Sequence, residues 1–323
     1  MRIWQRGAAV AACLMVLSAC GGGGSKAADP PAVQPAAPPA PDNGGKVLVV
    51  VEENQTYNEI LGSGKNTPYL KALAATYGVA TNLQAGYPEQ CPSLAAYIIL
   101  TSGSTHGICD DKPPAAHPLP GDSLFRQVKA AGREWRVYAE SMPSNCAMVN
   151  SGTYAVRHTA APYYTDIAAD CRNWDIPMGT LQAGPMHDDI QAGRLPAFSL
   201  AIPNVCSEMH GGTGCTGNVV RAADDWLHGL VPFLTSSPDW RAGRLTVIIT
   251  WDEGTKKDNH IPVLVLSPHT SRVRSDLAAT QCSVLRLISD VVKVAPLGCA
   301  ADAPSLTAAF GVAPHSSIAG PQS

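Results

Sequence analysis

The sequence predicts an α/β fold: a central, mostly parallel sheet with helices on both faces. Three observations carry that prediction. Lys46-Val47-Leu48-Val49-Val50-Val51, Leu245-Thr246-Val247-Ile248-Ile249-Thr250 and Pro262-Val263-Leu264-Val265-Leu266 are β-branched, apolar runs without alternation, as strands buried on both faces require. Segments with helical spacing lie between them. The first two runs discharge directly into Glu52-Glu53-Asn54 and Trp251-Asp252-Glu253-Gly254. In open α/β sheets the ligand sits beyond the carboxyl ends of the strands, so these residues suggest a hard-cation site.

Along the chain, Arg2 and Arg6 precede an apolar stretch from about Ala8 to Ala19, the length of a signal-peptide core and short for a membrane span. It ends in Leu17-Ser18-Ala19-Cys20, which resembles the lipobox of bacterial lipoproteins; the expectation is a signal peptide over 1–19 and a diacylglyceryl group on Cys20. Residues 20–45 are Gly, Ala and Pro with few large apolar side chains. Such a segment buries too little to fold and serves as a semi-rigid spacer. One globular domain is expected over 46–311, followed by a short tail at 312–323. An exported protein anchored on the outer side of the cytoplasmic membrane follows, since acyl chains bury about 0.8 kcal/mol per methylene.

Helices are predicted where caps agree with periodicity. Thr67-Pro68 with Gly78, and Ser123 to Ala131 with Gly132, pair an N-terminal signal with a C-terminal glycine. Val219–Leu234 and Ser283–Val292 repeat apolar residues at helical spacing, and Arg136–Ala139 and Ala197–Ala201 are weaker strand candidates.

A formal net charge of −3 without a basic run argues against a nucleic-acid partner. Beyond Cys13 and Cys20, an even set remains: Cys91, Cys109, Cys146, Cys171, Cys206, Cys215, Cys282 and Cys299. In an exported chain these read as disulfides, nearest neighbours being the preferred pairing. A zinc site is the competing use, though no CxxC spacing occurs.

Ser93, in Cys91-Pro92-Ser93-Leu94-Ala95-Ala96-Tyr97, precedes an apolar helical segment. At a helix N-terminus, backbone N–H groups attract phosphate and favour an alkoxide. The plainer reading is an N-cap, because serine leads that position. Taken singly, Glu52, Glu53 and Asp252-Glu253-Gly254 are ordinary solvated turns, and His158 and His210 ordinary surface residues.

Five stretches in order resemble the bacterial phosphoesterase family of acid phosphatases and phosphatidylcholine-type phospholipases C, within the alkaline-phosphatase superfamily. They are Glu53-Asn54-Gln55-Thr56-Tyr57; Pro92-Ser93-Leu94 with Ser102-Gly103-Ser104-Thr105-His106-Gly107; Arg157-His158 with Pro162-Tyr163-Tyr164; Ile202-Pro203-Asn204 with Glu208-Met209-His210 and Asp224-Asp225-Trp226-Leu227; and Thr250-Trp251-Asp252-Glu253-Gly254 with Ser267-Pro268.

The resemblance implies an alkaline-phosphatase-like fold and a phosphoric ester hydrolase that forms a phosphoserine on Ser93. Its substrate would be a small-molecule or lipid phosphate ester. Glu53, Asn54, Asp252 and Glu253 would hold one divalent ion, Mg²⁺, Ca²⁺, Mn²⁺ or Zn²⁺. Asn54, His158 and His210 would contact the substrate, with one histidine protonating the leaving group. An acid-phosphatase-type monoesterase is the leading expectation. A phospholipase C, or a catalytically weakened binding lipoprotein, stands behind it.

Membrane anchoring would suit the phospholipase C, and departures at Ala95, Ala96 and Gln281 motivate the binding lipoprotein. Ala95 and Ala96 stand where the family commonly has Pro-Asn, Gln281 stands where many members carry His, and Glu208 replaces an Asp. A Cys91–Cys109 bridge would brace the nucleophile helix.

Overall fold

The structure is a computed structural model and describes residues 45–87, 91–255 and 258–312, all within one compact unit. The expected signal peptide, Cys20, the linker and nearly all of the tail lie outside the described residues. The strands are β1 (Lys46–Glu52), β2 (Gly78–Ala80), β3 (Leu83–Gln84), β4 (Trp135–Ala139), β5 (Asp175–Pro177), β6 (Phe198–Ile202), β7 (Leu245–Trp251), β8 (Val263–Leu266), β9 (Val273–Ser275) and β10 (Ala279–Thr280). The α-helices are α1 (Pro68–Thr76), α2 (Leu94–Ser102), α3 (Leu124–Ala130), α4 (Ala168–Trp174), α5 (Pro185–Gln191), α6 (Val219–Thr235), α7 (Pro238–Arg241), α8 (Gln281–Val292) and α9 (Thr307–Phe310).

An eight-stranded sheet runs β5-β4-β6-β1-β7-β8-β2-β9, and β10 pairs with β3 separately. Every residue of β1 and β7 is buried. Successive side chains point to opposite faces, so both faces are covered, as the unbroken apolar runs predict. The register aligns Glu52 with Trp251, which brings the two acidic segments out side by side.

Three expectations need correction. The Pro262–Leu266 run forms β8, but β8 is antiparallel to both β7 and β2; burial on both faces is written in composition, whereas strand direction is not. Gly78 does not end a helix. It opens β2, where a Cβ would come within 2.6 Å of the Phe310 ring, and α1 stops earlier, at Thr76. Helix α8 begins at Gln281 rather than Ser283, with Thr280 as its cap and Ser283 completing a capping box.

The eight cysteines pair as nearest neighbours: Cys91–Cys109, Cys146–Cys171, Cys206–Cys215 and Cys282–Cys299. Cys146, Cys171 and Asp175 lie close enough to hold a metal, but their sulfurs are spent in a disulfide, which removes the zinc use.

Candidate active site

The site forms where β1 and β7 end. Glu52 and Glu53 are fully buried, so the solvated-turn reading fails. Asn54 then adopts a left-handed φ of 51°, a conformation that asparagine tolerates better than most residues. Its N–H donates to Asp252 Oδ1 at 3.1 Å. The main chains are tied as well: Asp252 N–H donates to Glu52 O at 3.0 Å and Glu53 N–H to Glu208 O at 2.8 Å.

Ser93 immediately precedes α2, a helix buried along its whole length. Its side chain makes no capping bond, and its φ and ψ are both −43°. The hydroxyl instead donates to Glu53 Oε2 at 3.0 Å and is only 3% exposed. The N-cap reading therefore does not hold. At the far end, Gly103 (φ 73°) closes α2 where a Cβ would meet Leu297 O at 2.1 Å, so glycine is required there. The Cys91–Cys109 bridge ties the segment entering α2 to the loop that follows it.

Glu53 collects two further partners. Tyr97 OH donates to its Oε1 at 2.7 Å, and His158 Nε2 lies 3.2 Å from the same oxygen. His158 Nδ1 lies 2.9 Å from Glu208 Oε1, and its ring stacks on Tyr97 with centroids 5.0 Å apart. Glu53, His158 and Glu208 can present three ligand atoms within 4.8 Å of one another, all buried. Burial, reinforced by neighbouring carboxylates, pushes Glu53, Glu208 and Asp252 well above the ordinary carboxyl range. Burial, with the charges of Arg157 and His210, holds His158 below its usual value.

This donor set fits a divalent cation. Asp252 Oδ2, Asn54 Oδ1 and Glu208 Oε2 are buried without a hydrogen-bond partner among the described residues, which is costly unless something positive meets them. A neutral His158 giving its Nδ1 proton to Glu208 would also turn a nitrogen lone pair toward Glu53 Oε1. A cation relieves both problems. Oxygen donors with one imidazole suit Mg²⁺, Ca²⁺, Mn²⁺ or Zn²⁺.

Of the residues expected from sequence, Glu53, Asn54, Ser93, His158 and Asp252 converge here. Glu253 is partly buried, with Tyr87 OH 3.4 Å from its Oε2. His210 sits on the exposed side. Met209 (φ 75°) makes the turn that places Glu208 inward and His210 outward, and the two imidazole centroids are 6.0 Å apart. His210 Nδ1 donates to Gly211 O at 2.8 Å, and Arg157 Nη2 lies 3.1 Å from its Nε2. Gln281 Nε2 donates to Trp251 O at 3.2 Å and also to Asp252 O, bracing the strand end from α8. Ala95 and Ala96 are buried.

Sequence reasoning missed Tyr97, Tyr87 and Asp111, and it gave Arg157 no role. Glu208 was legible only as a departure. The signal that could have found Tyr97 is its place one helical turn after Ser93, on the same face.

The fold and this cluster define a class: an α/β protein that gathers a buried serine, carboxylates and imidazole at the carboxyl edge of its sheet, a set of groups suited to hydrolytic chemistry. Comparison with known proteins narrows it. The model of the Phosphoesterase family matches residues 63–295, and the chain belongs to that family. A phosphatidylinositol-3-phosphatase of Mycobacterium tuberculosis is 26% identical over 265 residues, covering 80% of this chain and 81% of the relative.

Two solved structures share the fold. A Vibrio parahaemolyticus protein of the alkaline phosphatase superfamily matches with a TM-score of 0.55 at 13% identity, over 78% of this chain and 67% of its own. A sulfatase from Pseudoalteromonas sp. matches with a TM-score of 0.52 at 12% identity, over 78% and 68%. The protein is thus a hydrolase acting on phosphoric ester bonds.

Proposed function

We propose that the protein is a metal-dependent phosphomonoesterase that uses Ser93 as nucleophile and passes through a phosphoserine. One observation carries the reading: Ser93 Oγ, at the start of a buried helix, is spent on Glu53 rather than on capping. Glu53, Asn54 and Asp252 would hold the cation, with His158 and Glu208 beside them and Glu253 at the rim. The chemistry a bound cation supplies is positive charge against the serine oxygen and the phosphoryl group.

The remaining work falls to the chain. Tyr97 and His158 hold Glu53 in place. The Ser93 oxygen forms a bond to phosphorus as the ester oxygen departs, and the serine proton ends on the released alcohol. Water then cleaves the phosphoserine, returning the serine and releasing inorganic phosphate. His158 is enclosed by Glu53, Glu208 and Tyr97, so it serves as a positioning group. His210, exposed to solvent, is the histidine open to exchange a proton with the leaving oxygen and then with water.

A phosphate monoester is favoured over a diester because the mycobacterial relative is named for removing one. That name also makes a lipid-borne phosphate the substrate to test first. The sequence of residues 1–44, outside the described residues, supports a lipid anchor at Cys20 on the outer side of the cytoplasmic membrane.

The test compares p-nitrophenyl phosphate, p-nitrophenyl phosphorylcholine and phosphatidylinositol 3-phosphate in detergent micelles, with Mg²⁺, Ca²⁺, Mn²⁺ or Zn²⁺. Turnover of the monoesters with release of inorganic phosphate is expected. Preference for the phosphorylcholine diester would move the assignment to a phospholipase C. Absence of turnover on all three would point to a binding lipoprotein.

A further inference from the structure

Next to the nucleophile, a carboxylate occupies a place suited to an anion. Asp111 Oδ1 accepts the Leu94 N–H at 3.0 Å, the first N–H of α2 and the one adjacent to Ser93. Asp111 Oδ2 lies 3.3 Å from Arg157 Nε, and Arg157 Nη2 lies 3.1 Å from His210 Nε2. A chain of contacts thus runs from the helix start through Asp111 and Arg157 to the exposed histidine.

We propose that Asp111 is a built-in competitor for substrate: its carboxylate takes, in the substrate-free protein, the position of a phosphoryl oxygen on the Leu94 N–H and Arg157. This rests on the phosphomonoesterase reading above. The backbone N–H and the guanidinium are the donors a phosphoryl group uses; the first adjoins Ser93, and the second reaches the carboxylate that the first holds. Asp111 can yield its place, because its side chain is 36% exposed while that of Arg157 is 14% exposed. The Cys91–Cys109 bridge, with 4.4 Å between Cα atoms, keeps the Asp111 segment beside α2. The neighbouring Asp110 is held elsewhere, by Lys112 and His117, so Asp111 is the carboxylate of this loop that faces the site.

Vacating that place costs the same whichever phosphoryl group arrives, so Asp111 lowers the apparent affinity for all of them by one common factor. Asp111 is therefore an autoinhibitory contact within the site, and Arg157 the donor that changes partner.

The experiment titrates inorganic phosphate into the full-length, Mg²⁺-supplemented protein by calorimetry, in wild type, Asp111→Ala, Asp111→Asn and Arg157→Ala. Removing the competitor should tighten phosphate about tenfold, and removing the guanidinium should weaken it about tenfold, as expected for one charge-assisted contact. The kcat/KM for p-nitrophenyl phosphate should rise in both Asp111 variants by about the same factor as phosphate affinity. Asp111→Asn keeps a neutral acceptor for the Leu94 N–H, so it decides the matter if Asp111→Ala fails to fold.

Unchanged or weaker phosphate binding in folded Asp111 variants, beside a wild type that binds phosphate, overturns this inference alone. A wild type that neither binds phosphate nor turns over p-nitrophenyl phosphate overturns the phosphomonoesterase reading, and this inference with it.

Discussion

The Ser93 hydroxyl donates to Glu53 across 3.0 Å, joining the start of α2 to the residue that follows β1. The contact fixes the direction of the serine hydroxyl without any helix-capping bond.

Removal of divalent ions with a chelator should abolish turnover and lower the melting temperature, because a ligand that binds only the folded state stabilises it by mass action. Asp252→Asn should raise the metal concentration needed for half-maximal activity by about tenfold or more. Thermal melts and activity across a metal titration check both.

The two histidines should separate. His158 is enclosed between Glu53 and Glu208, so His158→Ala should cost about 3 kcal/mol of stability by leaving a cavity and two buried carboxyl groups short of a hydrogen-bond partner. His210→Gln should leave stability within about 0.5 kcal/mol, as exposed substitutions do. It should also lower kcat more for an alkyl phosphate than for p-nitrophenyl phosphate, whose leaving group needs no proton. Denaturant midpoints and paired kinetics distinguish the two roles.

Asp175 gives a pH signature remote from the site. Its Oδ1 has no hydrogen-bond partner among the described residues, and burial raises its carboxyl well above the ordinary value. With the folded value raised, both states are protonated below about pH 4, and no penalty applies. As pH climbs from there through the raised folded value, the unfolded chain ionises first and stability falls. Asp175→Asn should match wild type near pH 4 and become progressively more stable than it toward pH 8, read from urea midpoints.

Opening the Cys91–Cys109 bridge by replacing both cysteines with serine should cost about 3 kcal/mol from loop entropy. It should also reduce kcat/KM, because the bridge holds the segment entering α2. The equivalent change at Cys282–Cys299 should cost similar stability with less effect on activity. Melting curves and kcat/KM for both double variants check this.

Much of the architecture was legible because burial on both faces leaves unbroken apolar runs, as in β1 and β7, and because the eight cysteines of the domain pair with their nearest neighbours along the chain. The direction of β8 was not legible, since an apolar run reads the same either way. The three residues of β2 were too short to register, and Gly78 read as a helix stop. Glu53, Asn54, Ser93 and Asp252 were visible as an ordered set of motifs at strand ends and a helix start. Tyr97, Asp111 and the contacts of Arg157 were not. Asp111 reaches Leu94 through a folded loop and a disulfide, and such a juxtaposition leaves no local pattern.

The most direct test of the central claim is the rate of p-nitrophenyl phosphate hydrolysis by Ser93→Ala beside wild type, under the metal that best supports activity. A fall of about 10³-fold or more is expected, with a folded protein whose melting temperature drops by no more than the loss of one buried hydrogen bond. Turnover surviving in Ser93→Ala would contradict it and place the nucleophile elsewhere.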